Sequence, residues 1–213
     1  TMKRIAITDP AGYRNGMTEA LCVLRQGGVI VVPTDTVYGI VADATNSDAV
    51  RRLFKIKQRP FTKPVPVFVS SIEMAKIVAY VDSRTERALT KVWPGAVTVI
   101  LAVRSVVSPV VTAGGGTVGV RIPDHPMSTA LAEKLGKPIV GTSANISGEP
   151  PRHAATEVIA DFRGKLFKPD LVLDVGRLEE APPATVLDLT APSARVVRVG
   201  PVSKEMLVHI LGR

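Results

Sequence analysis

Apolar, β-branched runs alternate with stretches of helical period along most of this chain. The pattern predicts strands near 3–7, 28–33, 65–69, 97–103, 117–122, 138–141, 171–174, 185–189 and 195–199. It predicts helices near 16–26, 48–57, 72–79, 84–92, 126–135, 154–162 and 203–211. Val50, Leu53 and Phe54 form an i, i+3, i+4 stripe behind a Ser47-Asp48 start, the pattern of a capped amphipathic helix. Strands interleaved with helices imply an α/β domain. Several strands follow one another without a helix, so the expected sheet is twisted and mixed, parallel with antiparallel. The stretch 180–186 (EAPPATV) reads as a loop rather than a boundary, and residues 1–213 are expected to form one domain.

Composition narrows the class. Hydrophobic residues make up 46% and charged residues 22% of 213, which suits a folded globular protein. The longest apolar runs, 28–34 and 95–103, fall well short of the ~20 residues of a membrane-spanning helix. The N-terminal segment has no apolar region behind Lys3 and Arg4, so no secretory signal is read there, and a cytoplasmic protein is expected. One cysteine, Cys22, excludes an intrachain disulfide and a cysteine-based zinc cluster; its helical context suggests a small buried apolar residue. A formal charge of +8 favours anionic partners, whether nucleotide, phosphate or RNA, or serves solubility alone. At 4% aromatic residues, a dedicated base-stacking RNA module is not expected, and Trp93 reads as a packing residue.

Four segments carry candidate chemistry. In Arg51 to Pro64 (RRLFKIKQRPFTKP), Pro60 ends the helical pattern, so Lys57, Arg59 and Lys63 should project from a bent segment whose shape the prolines restrict. Such a loop suits a polyphosphate, and a solvated helix end would look the same. In Pro138 to Pro151 (PIVGTSANISGEPP), a strand runs into Ser143, Asn145 and Ser147, a turn whose N–H groups can face an anion. A serine-hydrolase elbow nearly fits there, but Asn145 stands where that motif needs glycine. Thr34, Asp35, Thr36 and Tyr38 follow a strand, at the end that lines ligand crevices in open sheets, although a capped turn uses the same residue types. In the fourth segment, Gly114–Gly116 permit close approach or a lid, and alternation then puts Thr117, Gly119 and Arg121 on one face. Arg121, between Val120 and Ile122, should be half-buried and want an anion, either a structural partner or a substrate carboxylate.

Taken in order, PTDTVYG, Lys57-Gln58-Arg59-Pro60, WPGAVTVIL, VGVRIPDHP, Ser143-Ala144-Asn145 and VVRVGPVS resemble the YrdC-like threonylcarbamoyl-AMP synthase family, over about residues 15–205. The resemblance implies a single YrdC-like domain, with a mixed twisted sheet and flanking helices around a large, basic, concave cavity. It implies an enzyme that condenses L-threonine, bicarbonate and ATP into threonylcarbamoyl-adenylate for a downstream tRNA-modifying transferase. It assigns Lys57 and Arg59 to catalysis, and Arg59, Lys63, Thr117, Asn145 and Arg198 to ATP. It assigns Thr36, Arg121 and Ser143 to threonine. Mg²⁺ is expected with the phosphates and not in an acidic cage, and catalysis is expected to rest on positioning and electrostatics. Two positions depart from relatives: Phe68 replaces a histidine and Ala184 a serine, both expected beside threonine. The alternative is a relative of the same fold that binds RNA through a basic surface, with weak or no synthase activity.

Overall fold

Local signals start and stop the helices. The computed structural model describes residues 2–191 and 193–211. Helix α1 (Pro10–Arg25) begins where Pro10 presets the first turn, and the Asp9 carboxylate accepts from Gly12 N at 2.7 Å. It starts six residues before its predicted position, because its early residues carry little apolar periodicity. Helix α2 (Ser47–Lys57) is capped by Asn46, whose Oδ1 accepts from Asp48 N and Ala49 N, so the cap lies one residue before the predicted Ser47-Asp48. It ends on Gln58, which turns left-handed at φ 52°. Helices α3 (Ile72–Val78), α4 (Ser83–Val92), α5 (Pro126–Leu135), α6 (Ala155–Phe162) and α7 (Lys204–Leu211) lie close to their predicted bounds.

The strands are β1 (Lys3–Ala6), β2 (Ile30–Pro33), β3 (Tyr38–Asp43), β4 (Val67–Phe68), β5 (Val97–Ala102), β6 (Thr117–Arg121), β7 (Ile139–Ser143), β8 (Leu171–Asp174), β9 (Thr185–Asp188) and β10 (Arg195–Arg198). They form one ten-stranded sheet in the order β1-β8-β2-β3-β7-β4-β6-β5-β9-β10. The β1–β8, β8–β2, β4–β6 and β5–β9 pairs are parallel, and the other pairs are antiparallel, so the sheet is mixed as expected. Strand β3 was not predicted. Its six residues are all buried, and without polar alternation such a run carries no half-buried-strand signal.

Side-chain alternation separates the two faces. On one face, Val31, Ile40, Val67, Val99, Val120, Val140 and Leu187 pack in a core shared with α2, α3, α4, α6 and α7. On the other, Ile30, Val32, Val41, Ile139, Leu171 and Leu173 pack against Met17, Ala20 and Leu24 of α1 and Met127, Leu131 and Ala132 of α5. That second layer does not continue over β6, β5 and β9. Trp93 is buried and its Nε1 donates to Val97 O at 2.7 Å, the packing role expected of it. Cys22 is exposed, contrary to the burial expected, because it faces away from the buried stripe of Met17, Ala20 and Leu24. No helix among the described residues is long and apolar enough to cross a membrane.

Candidate active site

Where the second layer stops, the bare face of the sheet becomes the floor of a cleft of about 370 Å³. Its lining comes from β3, β4, β5, β6 and β7, from the segments before β3 and β4, and from β9 and β10. Gly39, Gly119 and Gly141 hold strand positions on this face and leave backbone where side chains would fill the space. At Gly141 the vacancy is taken by Phe68: a Cβ there would stand 2.3 Å from the Phe68 ring. A second cavity, about 450 Å³, lies between α4 and the turn joining β9 to β10, apart from all four sequence motifs.

Among the described residues, three arginines line the cleft and no carboxylate does. Arg59 sits just past α2, and its guanidinium donates to Lys63 O at 3.1 Å and Pro64 O at 2.7 Å, so it brackets its own proline-bounded loop. Arg198, on β10, donates from Nε and Nη2 to Ala184 O at 3.2 and 2.7 Å. Arg121, at the end of β6, is 4% exposed and donates to Gly95 O at 2.8 Å and to the Asp35 carboxylate at 2.6 Å. Burial pushes all three guanidiniums below their usual range, opposed at Arg121 by Asp35 and reinforced there by Arg198. Arg121 is buried, Arg59 half-buried and Arg198 exposed, and Asp35 is the carboxylate that pairs with one of them among the described residues, so the set suits an anionic ligand.

Hydroxyls face the same space. Thr34 Oγ1 donates to Val37 O at 2.7 Å and lies 3.2 Å from Thr36 Oγ1, which folds the segment before β3 so that both threonines line the cleft. Ser143 lines it from the end of β7, directly across the ladder from Gly39. Phe68 and Ala184, the two departures from relatives, also line it.

Other expected residues lie elsewhere. Lys57, expected to project from the bent segment, is 2% exposed and points inward. Its Nζ donates to Ser143 O, to Asn145 O at 2.8 Å and to Asn145 Oδ1 at 3.5 Å. Asn145 is buried too, its Nδ2 donating to Ile146 O and Glu149 O, so both side chains of this pair build the turn and neither lines the cleft. Lys63 and Thr117 are exposed and outside the lining. Asp35 is a structural partner of Arg121, through one of its five N–H groups. Sequence reasoning missed Thr98, Ile100 and Val186, which line the cleft from β5 and β9. The available signals were a threonine at an alternate position within an apolar strand and isolated glycines inside strands.

Residues 22–200 match the family described as Sua5_yciO_yrdC, telomere recombination. A Bacillus subtilis protein named threonylcarbamoyl-AMP synthase is 34% identical over 198 residues, covering 92% of this chain and 56% of that one. A Pyrococcus abyssi protein of the same name is 35% identical over 190 residues, covering 89% and 55%. The chain thus spans about half the length of these curated relatives. The crystal structure of P. abyssi Sua5 complexed with L-threonine superposes with a TM-score of 0.88 at 32% identity, covering 100% of this chain and 61% of that one. Escherichia coli YciO superposes with a TM-score of 0.80 at 30% identity, covering 94% and 96%.

Proposed function

We propose a function from one premise: this chain belongs to the Sua5–YciO–YrdC family. It is a threonylcarbamoyl-AMP synthase, a nucleotidyltransferase acting on L-threonine, bicarbonate and ATP. The observation that carries this reading is the cleft, where Arg121, Thr36 and Ser143 share one volume with Arg59 and Arg198 and no lining carboxylate opposes an anion. The relatives' names and the threonine complex of the P. abyssi protein support it.

The chemistry sets the demands. The threonine amine attacks the carbon of bicarbonate, water leaves, and a carbamate forms. A carbamate oxygen then attacks the α-phosphorus of ATP, the α–β bridging P–O bond breaks, and pyrophosphate departs. Two of the five Arg121 N–H donors are held by Gly95 and Asp35, which fixes the guanidinium and leaves three for the threonine carboxylate. Thr36 and Ser143 supply hydroxyls to threonine. Arg59 and Arg198 offset phosphate charge that grows as the P–O bond breaks, with Lys63 adding a point charge from the Arg59 loop. Thr117 and Asn145 belong to the nucleotide end by resemblance, Asn145 acting there through its turn. With every reactant held in one cleft, positioning replaces covalent catalysis.

Among the described residues no group of three or more His, Cys, Asp or Glu could hold a metal ion, and no carboxylate lines the cleft. On this reading Mg²⁺ enters on the ATP phosphates, held by them and by water. The product passes, in the cytoplasm, to a transferase that modifies tRNA.

The test is pyrophosphate release from ATP with threonine and bicarbonate each present or omitted. Release that requires both, with the mass of threonylcarbamoyl-adenylate in the product, is expected. ATP binding with no release under any combination would reject the synthase reading and favour the RNA-binding alternative.

A further inference from the structure

An ammonium has three N–H donors and no acceptor. At Lys57 the turn offers three oxygens: Ser143 O, Asn145 O and Asn145 Oδ1. The whole donor capacity of this side chain is directed at one turn, and the residue is outside the cleft lining. The reciprocal bond runs from Ser147 N to Lys57 O at 2.8 Å, so side chain and backbone of one residue clasp both ends of 143–147. That turn begins at Ser143, which lines the cleft.

No carboxylate pairs with Lys57 among the described residues, and the turn presents only carbonyls to it. The one charged neighbour that bears on it is Arg59, two residues on. Burial first, and Arg59 second, push the ammonium down to about 7. A neutral amine would keep two donors and turn a lone pair toward a carbonyl, so loss of the proton breaks the three-oxygen match.

We infer that Lys57 is a positioning residue: its charged ammonium holds the 143–147 turn in the shape that aims Ser143 into the cleft, without touching a ligand itself. The kinetic arm of its test rests on the synthase reading; the exchange arm does not.

The experiment compares wild type with Lys57→Met by hydrogen–deuterium exchange of the ligand-free protein, corrected for intrinsic rates, and by steady-state pyrophosphate release. Protection of residues 144–147 is expected to fall by about tenfold or more in the variant, with the β1–β8–β2 core unchanged. The same segment in wild type is expected to lose protection between about pH 6 and about pH 9, as the amine gives up its proton. The KM for threonine is expected to rise by about tenfold while the KM for ATP stays within about threefold. Unchanged protection of the turn in the variant and in alkaline wild type overturns the inference. So does a fall in kcat with threonine KM and turn protection both unchanged, which marks direct contact with the reacting groups. If Lys57→Met fails to fold, the wild-type pH series decides. A wild type that releases no pyrophosphate defeats the synthase reading and leaves the exchange result to stand or fall separately.

Discussion

The Arg121 guanidinium donates to the Asp35 carboxylate at 2.6 Å, joining the end of β6 to the segment between β2 and β3. The two residues are 86 positions apart, and both are largely buried. Removing one partner of such a pair strands the other charge.

Asp35→Ala is therefore expected to lower stability by about 3 kcal/mol, read as a shift of the urea midpoint at unchanged slope. Arg121→Ala adds a ligand effect: threonine binding measured by calorimetry should weaken severely while ATP binding changes little. Equal loss for both ligands would mean that the pair only holds the sheet together.

Arg59→Ala should reduce kcat/KM for ATP by about 10²–10³-fold, or about 3–4 kcal/mol of transition-state stabilisation. Arg59 is only half-buried and its two bonds close a short local loop, so the urea midpoint should move by less than about 1 kcal/mol. Unchanged turnover would remove this loop from the mechanism.

Gly141→Ala places a methyl 2.3 Å from the Phe68 ring, inside any real contact distance. The ring must swing into the cleft or the strand must shift, at about 1–3 kcal/mol. Adding Phe68→Leu should recover much of that stability in a double-mutant cycle, because the two substitutions share one volume. Additive losses would show that Gly141 is needed for a backbone reason instead.

Tyr38 is fully buried, its hydroxyl donating to Gly176 O at 2.7 Å and accepting from Val175 N at 3.1 Å. Burial, with Asp174 nearby, pushes it up to about 12. The unfolded phenol ionises near 10, so above that pH the unfolded state binds fewer protons than the native state and stability falls as pH rises. About 2–3 kcal/mol is lost between about pH 10 and about pH 12. Absorbance titration of the three tyrosines should show one with a midpoint near 12 in the native protein.

By itself the sequence determined where almost every element lies. Caps, prolines and periodicity are local, and helices such as α4 and α5 follow from residues within a few positions of one another. It also supplied the chemistry of Arg59, Arg121, Thr36 and Ser143, since those residue types suit anions and hydroxyl-bearing ligands wherever they meet, while Arg198 was legible only through the family resemblance. That they do meet was decided by the tertiary structure. The order β3-β7-β4-β6-β5-β9 interleaves segments from 38 to 188 through pairings that no short window of sequence encodes, and it leaves β6, β5 and β9 without a second helical layer. Burial settled the rest. Strand β3 was illegible because both its faces are covered, and alternation is a signal only of a strand with one wet face. Lys57 looked like a surface cation because charge is normally solvated. Three carbonyls brought together by the 143–145 turn make an interior position tolerable, and those oxygens exist as a set only in the folded chain.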